Sequence, residues 1–190
     1  MGKPFIVHVS ADYPDANGPN RTPVIQRLVK LVASSFDQQV YSLTRLSPPL
    51  ASWPRPSPQV RFEVEGEGHC RLTYAAPPRG LHHRRLLDAL GEALAEHIGR
   101  GRRPDLIIGH KLTVEGVAVA RAAGLLGVPY ALSIQGNTDA KILAARPDLR
   151  GLSRGYFTMR RRSFPLPPGR WTGSRICSER GWALPNCCLA

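Results

Sequence analysis

The chain has 190 residues, 42% of them hydrophobic, and a formal charge of +12; this size and apolar content suit one packed domain and exclude global disorder. The charge alone would invite nucleic acid or an anionic membrane. However, arginine supplies 22 of the 26 basic residues, and Arg160 to Ala190 carry a net +5, leaving +7 on the first 159 residues. That reads as a composition bias rather than a built patch, so no nucleic-acid partner is expected.

Phe5 to Ser10, "FIVHVS", is an almost continuous apolar run, the pattern of a strand covered on both faces. Its five apolar residues are too few for a secretory h-region, and no run approaches the ~20 residues of a membrane span, so a cytoplasmic location is expected. A polar loop, "ADYPDANGPN", leads to a helix with Thr22 as N-cap, Pro23 in its first turn, and Val24, Ile25, Leu28, Val29 and Val32 at helical spacing. Gln39 to Leu46 reads as the second strand, completing a βαβ unit. Ser47 to Pro58 has five prolines in twelve residues and must be loop. Val60, Phe62 and Val64 alternate on one face of a further strand, and "CRLTYAA" is a weaker one.

Leu81 to Ile98 is an amphipathic helix with Leu86, Leu87, Leu90, Leu94 and Ile98 as its stripe, ended by Gly99 and Gly101. Pro104 and Asp105 precede the short buried strand "LIIGH". Thr113 can cap a helix running to Leu126, which Gly127 stops, and Val128 to Ile134 is the next strand. Strands alternating with helices imply an α/β fold: a Rossmann-like, doubly wound, mostly parallel sheet with helices on both faces.

In such sheets ligands bind beyond the carboxyl ends of the strands. Three ends are readable: Ser10-Ala11-Asp12, Gly109-His110-Lys111 and Gln135-Gly136-Asn137. Gly136 permits close approach of a ligand, and Asn137 can cap a helix whose N-terminus faces the same crevice. The same two residues also suit a plain strand-to-helix turn. Gly18 stands in a loop with one glycine, short of a dinucleotide fingerprint. His82 and His83 are adjacent on a helix and point about 100° apart, a poor start for chelation. Cys70 is alone, and Cys177, Cys187 and Cys188 form no C-x-x-C pair, so neither metal nor cofactor is expected.

The order "FIVHVSADYP…NGPN…TPVIQRLVKLVA" then "PDLIIGHKLTVEGVAVARAAGLLGVPYALSIQGNTD" resembles the N-terminal, acceptor-side domain of family 4 glycosyltransferases of the GT-B fold. The resemblance implies a retaining enzyme that moves a sugar from a nucleotide-sugar to a glycan, lipid or small-molecule acceptor, and it is compatible with peripheral membrane contact. By position it places Gly18 and Asn20 beside the donor phosphates, His110 in the cleft, and Gln135 where relatives commonly carry a histidine near the transferred sugar. Gly136 and Asp139 match the ends of that motif. Asp12 is a substrate-binding candidate from its place beyond the first strand. Glutamine can bond a sugar hydroxyl but cannot carry a proton, so no catalytic residue is assigned. The glycosyltransferase domain is expected over 1–157. Residues 158–190, which hold three of the four cysteines and two of the three tryptophans, are expected to be a disordered or frameshifted tail. The family's nucleotide-sugar domain does not follow, so a truncated product inactive alone is expected. The alternative is a non-catalytic Rossmann-like binding module whose basic tail meets an anionic partner.

Overall fold

A computed structural model describes residues 2–16, 18, 21–46, 60–76, 83–112 and 115–133, all within the unit Met1–Thr158. The elements run β1 (Phe5–Ser10), α1 (Val24–Val32), β2 (Asp37–Leu46), β3 (Val60–Gly66), β4 (His69–Ala75), α2 (His83–Gly99), β5 (Leu106–Gly109), α3 (Glu115–Leu126) and β6 (Tyr130–Leu132). They build one six-stranded Rossmann-like sheet in the order β3-β4-β2-β1-β5-β6. Every neighbouring pair is parallel except β3 with β4. That pair is a hairpin turned at Gly68, whose φ of +70° only glycine adopts without strain.

Register sorts the residues into two faces. In β1, β2 and β4, Val7, Val9, Tyr41, Leu43, Cys70 and Leu72 pack with Leu87, Leu90 and Leu94 of α2 and Val119 and Ala122 of α3 into a continuous apolar core. The whole expected stripe of α2 is buried there. α2 and α3 cross closely, because a Cβ on Gly91 would meet Ala118 O at 2.7 Å and Arg121 Cβ at 2.6 Å. Gly127, at φ +63°, ends α3 as the sequence predicts. The "Pro-Asp" before β5 also has a physical role: Asp105 accepts the Phe5 N–H at 2.8 Å and returns its own N–H to Phe5 O, locking the starts of β1 and β5 together.

The opposite face differs. His8, Ser10, Ser42, Thr44 and His110 are buried on it, beneath α1 and the β1–α1 loop. α1 begins one residue later than its expected Thr22 cap allows: Pro23 stands at the N-cap with no side-chain cap bond. Only Ile25 of its apolar positions is fully buried, while Val24 and Leu28 are 53% and 40% exposed. β2 begins at Asp37, two residues before the expected start, because the Asp37 N–H bonds Pro4 O and extends the ladder. The Thr113 cap, His82 and the His83 side chain lie outside the described residues.

Candidate functional site

The chain moves from β1 outward through β2 to β4, then returns across the sheet through α2 to β5 and continues to β6. The strand order therefore reverses between β1 and β5. At such a switch point the loops leaving adjacent strands diverge, which is where open α/β sheets receive ligands. The fold is that of a Rossmann-like α/β domain with a polar strand end at its switch point.

Asp12 and His110 meet at this point. Asp12 follows β1, and its Oδ1 accepts from Lys111 Nζ at 2.7 Å, an ion pair spanning the two diverging loops. Both side chains remain partly exposed. The Asp12 N–H donates to Ser10 Oγ at 3.1 Å, shaping the turn. His110 continues β5, its N–H donating to Val9 O at 3.2 Å, and its ring is buried beside His8. The two rings stack at 5.4 Å, 13° from parallel.

Two groups at the site have displaced acidities. Burial, with the His8 imidazole adding to it and Asp12 opposing, drives His110 down to about 4. Burial lowers His8 as well, against the bond it shares with Gln38. Glu115, in the first turn of α3, is wholly buried. Its Oε1 accepts the Ala11 N–H at 2.6 Å, while Oε2 has no partner among the described residues. Burial raises it to about 7, against the favourable pull of that N–H and of Lys111. Gly109 lets β5 lie close to α3 and β6, since a Cβ there would crowd Leu132 Cδ2 at 3.0 Å and Val119 Cγ2 at 3.3 Å.

Gly18 belongs to a different part of the loop. Its N–H bonds Asp15 O, and it accepts from Arg21 N–H. Arg21 then donates to Asp15 Oδ2 at 2.9 Å and to Thr44 Oγ1 at 3.0 Å, clamping the loop to β2 rather than to β5. Asn20, Gln135, Gly136 and Asp139 lie outside the described residues. Sequence reasoning singled out neither His8 nor Glu115. The available signals were a histidine inside an otherwise apolar strand and an acid opening an apolar helix. No cluster of three metal-binding side chains occurs among the described residues, and no described helix is long and apolar enough to cross a membrane.

The sequence profile of the glycosyl transferase 4-like domain matches residues 21–171. The chain belongs to that family. Comparison with curated protein sequences finds no match. Among solved structures it is similar to the C-terminal domain of a hydrogenase from Pyrococcus furiosus, at 13% identity over 70% of this chain and 94% of that one, TM-score 0.39. It is also similar to the SurE protein from Aquifex aeolicus, at 16% identity over 80% of this chain and 60% of that one, TM-score 0.39. Neither likeness carries an argument at that TM-score.

Proposed function

We propose that this domain forms the acceptor-side wall of a glycosyltransferase site at the β1/β5 switch point, serving transfer from a nucleotide-sugar with retention. The observation that carries the reading is the Asp12–Lys111 pair across the diverging loops of a glycosyl transferase 4-like domain. A carboxylate accepts from sugar or alcohol hydroxyls, and an ammonium donates to their oxygens, so the pair can exchange its internal bond for bonds to a polyhydroxyl acceptor. Partly exposed ions give up little Coulomb energy on that exchange. Gln135, Gly136 and Asp139, next to β6 in sequence, would complete the sugar contacts, with Gln135 as a hydroxyl partner. Gly18 and Asn20 would face the donor phosphates.

Methyl α-glucopyranoside titrated into the 190-residue chain tests the reading. Asp12→Ala and Lys111→Ala are each expected to weaken binding several-fold without moving the melting temperature. Unchanged binding in both variants overturns it. The resemblance assigns the diphosphate groups to a second domain, so the 190-residue chain is expected to release no nucleoside diphosphate from a panel of nucleotide-sugars; turnover would overturn that division of labour.

A further inference from the structure

On the polar face a single chain of hydrogen bonds runs through α1, β2, β1 and β5, and its polarity can be solved from one end. The Gln38 side chain donates through Nε2 to the Val29 carbonyl at 2.9 Å. A carbonyl only accepts, so the amide orientation is settled, and Gln38 Oε1 must accept at its other contact. That contact is His8 Nε2 at 3.1 Å. His8 therefore carries its proton on Nε2, and as a neutral imidazole it presents a lone pair at Nδ1. The partner of His8 Nδ1 is His110 Nε2 at 3.1 Å. His110 must donate there, which places its proton on Nε2 and leaves Nδ1 a bare acceptor. That Nδ1 is buried and has no partner among the described residues.

An orphaned acceptor of this kind has a cost unless something donates to it. It is held at the switch point by three earlier bonds, none of which it can relax by rotating. We propose that His110 Nδ1 is a recognition position for a ligand hydroxyl at the β1/β5 switch point, its tautomer dictated by Val29, Gln38 and His8. The ligand class is a polyhydroxyl compound offering an O–H donor; a group that only accepts, such as a phosphate dianion or an ether oxygen, is rejected by the lone pair. The inference rests on the acceptor-site reading above and adds the residue that selects for a hydroxyl.

The same chain rules out a proton wire. It ends in an amide and a backbone carbonyl, neither of which takes up a proton, so a proton given to Nδ1 has no exit through His8. Burial likewise keeps both rings neutral near pH 7. His110 is accordingly a binding and orienting residue and not a general base.

The test uses the uniformly 15N-labelled 190-residue chain. Long-range proton–nitrogen spectra of the free protein are expected to show His8 and His110 both protonated at Nε2. A proton on His110 Nδ1 in the free protein overturns the proposal at once. Methyl α-glucopyranoside is then expected to shift the His110 Nδ1 resonance upfield, whereas its permethylated form, which has no donor, is not. If Asp12 and Lys111 respond to the glycoside while Nδ1 does not, the proposal fails and the acceptor-site reading stands; if none of the three responds, both fail.

Two amide variants separate recognition from folding. Asparagine places an amide where Nδ1 lies, and glutamine reaches the position of Nε2. His110→Asn is expected to keep binding near wild type while lowering the melting temperature, since the bond to His8 is lost. His110→Gln is expected to keep the melting temperature and to weaken glycoside binding by about tenfold, the equivalent of one hydrogen bond. The reverse pattern would make His110 structural and overturn the proposal.

Discussion

The two faces of the sheet are made by the same strands and obey different physics. In β2, Leu43 points into the apolar core under α2, and Ser42 points to the other side, where its hydroxyl meets His69 Nε2 at 3.0 Å. Both residues are buried. The α2/α3 face holds by excluded water and close packing, which is non-directional and tolerates substitution by volume. The α1 face buries Ile6, Ile25 and Val40 but adds directed bonds: Arg21 with Asp15 and Thr44, His8 with Gln38 and His110, and Arg71 with Glu63 and Glu65. Directed bonds hold side chains at defined orientations with few alternatives, which is what a binding site needs and a core does not. The candidate site stands at the edge of the polar face.

The largest expected effect breaks the core side. Leu43→Ala should destabilise by about 2–5 kcal/mol, read as a lower urea midpoint, because it opens a cavity among buried α2 and β4 side chains. Site geometry is expected to change little, since His8 and His110 stay bonded across the other face. A loss of glycoside binding beyond the loss of folded protein would show that the faces are not independent.

The second effect is a pH dependence in which two buried groups oppose each other. Glu115 is raised to about 7, so it favours the folded state below about pH 4.5, and that contribution is lost as pH rises through 7. His110 is depressed to about 4, so its contribution is present above about pH 6.5 and lost as pH falls through 4. His8 acts in the same direction as His110. Between about pH 4.5 and 6.5 the slopes partly cancel in the wild type. Glu115→Gln keeps an acceptor for the Ala11 N–H but removes the titration. Its stability should therefore rise with pH across this window more steeply than the wild type's, as urea midpoints at a series of pH values would show. Parallel profiles would mean that the carboxyl is not displaced.

The smallest effect sharpens the comparison within one strand. Ser42→Ala should cost only about 1 kcal/mol, the net worth of one bond to His69. A cost equal to that of Leu43→Ala would mean that the polar face is as critical to stability as the core, and the distinction drawn here would fail.

Much of the fold was legible in local pattern. The α2 stripe, the Gly127 stop and the short β5 strand follow from periodicity and turn chemistry, because burial of a helix stripe is written every three or four residues. α1 was legible as a helix but not in its burial. Its apolar positions suggested a core face, yet the layer beneath it mixes the polar His8 and Gln38 with Ile6 and Val40, and of its own apolar residues only Ile25 is fully seated. The β3–β4 pairing was not read either, since a hairpin register depends on the partner strand and on Gly68. Of the candidate site, Asp12 and His110 were legible as residues that follow β1 and β5, because the ends of strands can be read from where an apolar run stops.

Alternation and spacing in the sequence by themselves determined that this chain is α/β, that β1 and β5 are buried parallel strands, and that polar residues gather where those strands stop. Tertiary structure alone decided which of these residues act together. His8 and His110 are 102 residues apart, and Ala11 and Glu115 are 104 apart; no local signal links positions at that distance. The parallel crossover brings β1 beside β5, and only then does the Val29 carbonyl orient an amide, the amide set one imidazole, and that imidazole set the next. A proton's place on His110 is thus a property of the folded sheet, because it is transmitted through bonds that exist only after the strands have paired.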